Sequence, residues 1–178
     1  MAAHKIAPPK LHAPFEYVAT CGGIGLLPIM PGSYCSIVVA LPALYALLFT
    51  TWPVQTAQWF YAAAFFVFMV LGTWSVRHVQ KSWGHDPSVV VIDEAAGMCL
   101  TLLFPMTHAS PELWALALLL FRVFDVVKPW PISIVNDRTE AWAVMGDDLL
   151  AGLAAGFSTQ LIAAALAGLG IAGRVILP

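Results

Sequence analysis

Between Trp59 and Val76 the chain runs eighteen residues without a charge. A stretch that apolar, once buried in lipid, has to satisfy its own backbone polar groups, and an α-helix does so within one segment. Four further runs have the same character: Ile37–Thr50, with Pro42 inside it and room to extend back to Ser33; Val89–Pro105, interrupted by Asp93 and Glu94; Leu113–Val127, interrupted by Arg122 and Asp125; and Leu149–Gly173, apolar throughout. A membrane span takes roughly 20 residues, so several of these are marginal alone. They make sense as tilted or partly embedded helices of one bundle. Composition agrees: 60% of the residues are hydrophobic, against roughly 45–50% apolar in soluble domains. The expected fold is all-α, a compact integral membrane bundle of about four to five hydrophobic helices. It occupies residues 15–178, behind a flexible N-terminal arm of residues 1–14.

Other classes fall away quickly. A net charge of −2 provides no basic surface for nucleic acid. The cysteines Cys21, Cys35 and Cys99 lack metal-ligand spacing and read as buried free thiols in a reducing compartment. No apolar core of a signal peptide precedes Tyr17.

Charge placement carries the functional information. The links Thr51–Gln58 and Thr107–Glu112 hold no Lys or Arg, whereas Arg77–Ser88 and Lys128–Gly146 hold Arg77, Lys81, Lys128 and Arg138. With Lys5 and Lys10 at the N-terminus, positive charge alternates between the two sides. That pattern assigns the basic side to the cytoplasm. Six of the ten acids then fall on the same side: Asp93 and Glu94 in the first turns of one helix, Asp125 in the last turn of another, Asp137 in a link, and Asp147 with Asp148 opening the last helix. An acid at mid-membrane costs about 3 kcal/mol on insertion scales and by default marks a functional site. So many acids with so few cations point to a bound divalent cation, and hard ions such as Mg²⁺ take carboxylate oxygens.

The motifs around these acids have structural as well as chemical readings. In HDPSVVVIDEAAG (residues 85–97), Asp93 and Glu94 stand about 100° apart on a helix, so one can face a metal while the other orients a water; a helix start also favours acids. In FRVFDVVKPWPI (121–132), Asp125 and Lys128 share a face at i, i+3, as an ion pair or as a metal ligand beside a phosphate-binding cation. Pro129 and Pro131 end that helix after Lys128. In GDDLLAG (146–152), Asp147 could simply cap the helix. GGIGLLPIMPGS (22–33) is a turn whose backbone N–H groups could hold an anion, with Gly32 and Ser33 as candidates. Gly152-x-x-x-Gly156 permits close helix approach.

In their order and spacing, these segments together resemble the phosphatidylglycerophosphatase A family over residues about 16–157. The carrying motifs are HD followed by D-E-x-x-G, F-R-x-F-D-x-x-K-P-x-P-I, and D-D-x-x-A-G. One departure is Cys35, where the family's P-G-T-x-G-S turn has glycine. The resemblance implies a Mg²⁺-dependent, all-helical lipid phosphatase of the bacterial cytoplasmic membrane. It would face the cytoplasm and convert phosphatidylglycerophosphate to phosphatidylglycerol and phosphate. Asp93, Glu94, Asp125, Asp147 and Asp148 are the expected metal ligands, with Glu94 and Asp93 acting on water and Lys128 on the phosphoryl group. Arg122, Arg138, Asp137, His85 and Asp86 complete the expected substrate contacts. The competing readings are another lipid-headgroup enzyme, such as a phosphatidyl transferase, and a cation transporter using the intramembrane acids.

Overall fold

A computed structural model describes residues 10–50, 53–84, 87–104, 110–138 and 140–169. Among the described residues, seven α-helices run in chain order: α1 (Pro14–Ala19), α2 (Pro31–Phe49), α3 (Val54–Trp83), α4 (Ile92–Leu102), α5 (Pro111–Val127), α6 (Ile132–Asn136) and α7 (Ala141–Gly168). No strand occurs among the described residues.

Among the described residues, three helices are long and apolar enough to cross a membrane, at Pro31–Phe49, Gln55–Trp83 and Trp142–Gly168. Their outward faces carry large apolar side chains, including Phe49, Trp59, Phe66, Val70 and Leu161, each more than 60% exposed. Such a surface suits lipid and would be a liability in water. The expected helix at Val89–Pro105 is corrected to the eleven-residue α4, which at 1.5 Å per residue is about 16 Å long, half a bilayer core. It does not span. Instead it is the hub of the bundle: nine of its eleven residues are buried, and it packs on α2, α3, α5 and α7.

Two expected links are also corrected. Helix α3 does not stop before Arg77 but continues to Trp83. Arg77 and Lys81, one turn apart, point outward while Val76 and Val79 stay buried, so the last turns are amphipathic and remain helical. Helix α7 begins at Ala141, not at the acids, which puts Asp147 and Asp148 two turns inside it. Ala143, Val144 and Met145 supply the buried face that carries the helix through this region.

Proline and glycine govern the close contacts. Pro42 lacks an N–H, and its ring pushes on the carbonyl one turn back. Just there the Tyr61 hydroxyl inserts into α2, accepting from Ala43 N at 2.9 Å and donating to Val39 O at 3.0 Å. Trp114 Nε1 donates to the neighbouring Ala40 O at 2.8 Å. Side chains of α3 and α5 thus satisfy the opened backbone, as lipid requires. At the crossing of α4 and α7, Gly152 lies against the backbone of Gly97, and a Cβ on Gly97 would sit 2.6 Å from Asp148 O. Thr101 Oγ1 donates to both Gly97 O and Gly152 O. This backbone contact brings the start of α4 and the acids of α7 together.

Candidate active site

One end of the bundle encloses a cavity of about 310 Å³. Four helix ends build it. The start of α2 contributes Met30, Pro31 and Gly32, and the start of α4 contributes Asp93 and Glu94. From the last turns of α5 come Arg122, Asp125 and Val126, with Lys128 just beyond. Asp147 and Asp148 enter from α7.

The five acids separate into two groups. Asp93, Glu94 and Asp148 each offer an oxygen, and the three oxygens lie within 4.8 Å of one another. Asp125 and Asp147 each lie closest to a cation, and Asp125 also contacts Asp148. Arg122 Nη1 lies 2.7 Å from Asp125 Oδ2 and 3.8 Å from Glu94 Oε1. Lys128 Nζ pairs with Asp147 Oδ2 and stands 3.9 Å from Asp125. The i, i+3 pairing read from sequence is therefore only the longer of the lysine's two contacts. Lys128 reaches Asp147 because it sits in the left-handed region at φ +47°, turning back over the end of α5.

These groups are scarcely hydrated. Asp148 is 3% exposed, and Asp93, Asp125 and Asp147 are each under 10%. Burial pushes the Glu94 carboxyl well above its ordinary range, and the adjacent Asp93 charge pushes it further. Burial works against the Lys128 charge, but its contact with Asp147 prevails and holds the lysine pKa above its usual value. Among the described residues, Glu94 Oε2 and Arg122 Nε are buried without a hydrogen-bond partner. Among the described residues, five carboxylates line the cavity against three cations, Arg122, Lys128 and Arg138, a formal excess of two negative charges. Buried like charges and orphaned polar atoms are costly unless something completes the site. Hard oxygen donors, a deficit of two positive charges and an unused Glu94 oxygen all fit a divalent cation.

Gly32 has a steric reason to be glycine. A Cβ there would fall on Glu94 Oε1 and 3.2 Å from Arg122 Nη1. Ser33 does not line the cavity, and its N–H bonds locally to Met30 O at 2.9 Å. Asp137 is exposed at the end of α6 and is likewise not part of the lining, whereas Arg138 is. His85 and Asp86 lie outside the described residues. Ser88 and Asn136 line the cavity without having been singled out from sequence. Asn136 ends the short helix that follows the Pro-x-Pro turn, and that proximity was its signal; Ser88 carried none.

The family model for phosphatidylglycerophosphatase A matches residues 17–163. A protein of Bacteroides thetaiotaomicron, provisionally named a phosphatidylinositol-3-phosphatase, is 34% identical over 83% of this chain and 91% of its own. Phosphatidylglycerophosphatase A of Escherichia coli K12 is 30% identical over 81% of this chain and 80% of its own. Its namesake in Haemophilus influenzae is 31% identical over 79% and 83%. No solved structure gives a significant match. The matched region includes every helix that contributes to the cavity, and with it the buried acids and their two paired cations. The chain belongs to the phosphatidylglycerophosphatase A family and is a phosphatase, a phosphoric monoester hydrolase.

Proposed function

We propose that this phosphatase hydrolyses phosphatidylglycerophosphate to phosphatidylglycerol and phosphate, with Mg²⁺ held by Asp93, Glu94 and Asp148. The observation carrying this reading is the convergence of those three carboxylates beside two cations already oriented by acids of their own. When bound, such an ion supplies Lewis-acid charge to the phosphoryl oxygens and acidifies water. The remaining work falls to the chain. Arg122 and Lys128 bind phosphoryl oxygens and stabilise the charge that spreads over them during transfer. Asp125 and Asp147 hold these cations in place. Glu94, one of whose oxygens has no hydrogen-bond partner among the described residues, accepts a proton from the attacking water. The ester oxygen departs with the lipid and takes a proton from water to become its hydroxyl, Glu94 returns its proton to solvent, and phosphate leaves. Arg138 at the cavity edge is a further phosphate contact.

Basic residues support a cytoplasmic orientation. Arg77, Lys81, Lys128 and Arg138 all belong to the cavity end, as the positive-inside rule requires of a cytoplasmic face. The relatives are bacterial, which supports the bacterial cytoplasmic membrane as its location.

The Bacteroides relative's name provides a second candidate substrate of the same chemistry, a lipid carrying a terminal phosphomonoester. The test is phosphate release by the purified protein from phosphatidylglycerophosphate and from phosphatidylinositol 3-phosphate, with Mg²⁺ and with chelator. Release from the first, abolished by chelator and restored by Mg²⁺, is the expected result. Faster release from the inositol lipid, or release indifferent to chelator, overturns the reading.

A further inference from the structure

The cavity has two unlike lips. Where the start of α2 meets the last turns of α5, Met30 and Val126 line it while remaining 60% and 63% exposed. Ile29 and Val127 continue that edge outward, at 68% and 67% exposure. The opposite lip is polar: Ser88 from the turn before α4, and Asn136 and Arg138 from the end of α6. Below the apolar lip, Leu119 and Val123 are exposed on α5 at 59% and 43%. With Val126 they follow i, i+4, i+7 spacing, so one apolar stripe runs down α5 from the cavity edge.

We propose that the lipid substrate enters the cavity sideways between Met30 and Val126, its acyl chains lying along the exposed stripe of α5. This rests on the phosphatase reading and adds a direction to it. A phospholipid monoester joins a highly charged head to chains that cannot leave the bilayer without exposing apolar surface to water. Its phosphate reaches buried acids and cations only through an opening continuous with lipid. The α2–α5 edge is such an opening, because Met30 and Val126 line the cavity and are apolar and exposed. The polar lip serves water and released phosphate. Met30 itself is held at φ +49°, a conformation uncommon for a non-glycine residue, which projects its side chain at the cavity edge.

The test compares two substrates with one headgroup: long-chain phosphatidylglycerophosphate in vesicles, and a short-chain analogue dissolved as monomers. The variants are Met30→Asn and Val126→Thr, singly and together. Asparagine accepts the left-handed backbone, and threonine nearly keeps the shape of valine at an exposed position, so folding, checked by thermal unfolding, is retained. The double variant is expected to lose at least tenfold in kcat/KM on vesicles, mainly through KM. Its loss on the dissolved analogue should be at least fivefold smaller. Equal losses on both substrates, or no loss on vesicles, overturn the sideways route. So does the same vesicle-selective loss from Asn136→Leu on the polar lip. A wild-type protein inactive on both substrates is a separate result, because it removes the phosphatidylglycerophosphate reading itself.

Discussion

Helix α2 begins at a charged cavity and ends beside an apolar groove of about 440 Å³, walled by residues such as Leu41, Pro42, Tyr45 and Phe60. The two recesses differ by little more than 100 Å³, yet opposite forces shape them. At the groove end, Tyr61 and Trp114 satisfy the backbone opened around Pro42, and no charged residue among those described lines the groove. At the cavity end, buried carboxylates crowd one another, and Glu94 Oε2 has no protein partner. Polar atoms at the first end hold helices together. At the second, the helices hold polar atoms together against their repulsion, which is how sites bind ions and catalyse.

The largest expected effect tests that division within the acids themselves. Asp148→Asn and Glu94→Gln remove a charge from the repelling trio. Each should lower phosphate release on the order of a hundredfold or more, while the unfolding temperature without metal stays the same or rises. Asp147→Asn instead leaves Lys128 without its closest partner and should lower that temperature. Thermal unfolding in chelator, paired with phosphate release in Mg²⁺, separates the outcomes. If all three variants lose stability alike, the acids are structural ion pairs and the two ends of α2 do not differ as described.

Glycines offer a smaller and sharper contrast. At Gly32 a Cβ meets the tip of the Glu94 side chain, which can swing aside. Gly32→Ala should therefore leave stability nearly unchanged while displacing Glu94, at a cost of about tenfold to a hundredfold in turnover, the scale on which small misplacements act. At Gly152 a Cβ meets the backbone carbonyl of Gly97, which cannot move without shifting a helix. Gly152→Ala should lower both stability and turnover. The discriminating measurement is kcat beside the midpoint of thermal unfolding. A fully active Gly32→Ala would show that the contact with Glu94 has no part in turnover.

Much of this architecture was legible in the residues. Long uncharged runs and the scarcity of charge indicated an all-α membrane bundle, and the placement of acids at helix ends indicated one shared face. Other features were hidden for physical reasons. Hydropathy falls wherever acids occur, so α7 seemed to begin at Leu149, although the apolar residues 143–145 extend it back to Ala141. Helical spacing pairs Asp125 with Lys128, but the lysine sits in a turn and reaches a carboxylate nineteen residues further on. Which acids converge on one another and which lie closest to a cation is decided by tertiary structure and leaves no local trace. Nor does the meeting of Gly97 with Gly152, of which the sequence shows only that both residues are small. Met30 and Val126 read as ordinary apolar positions; only their place at the edge of a charged cavity distinguishes them.

The smallest expected effect belongs to the groove end. Tyr61→Phe removes the hydroxyl that bridges Ala43 N and Val39 O. The buried ring remains, so no large cavity forms, and the loss is confined to the hydrogen bonds. Net contributions of such bonds are about 1 kcal/mol in proteins generally, and cycles in one membrane protein average nearer 0.6 kcal/mol. Val39 O and Ala43 N can also approach each other once the hydroxyl is gone, since they are four residues apart on one helix. The expected result is a stability loss of roughly 1 kcal/mol or less, read as a small fall in the midpoint of denaturant unfolding, with kcat unchanged. Retained turnover is the informative half, because Tyr61 lies in the shared core with Met98 and Leu102 of α4, the helix whose first turn carries Asp93 and Glu94. A clear fall in kcat without lost stability would mean that α4 transmits the packing around Pro42 to the acids, and the two ends of the bundle would have to be treated as one mechanical unit.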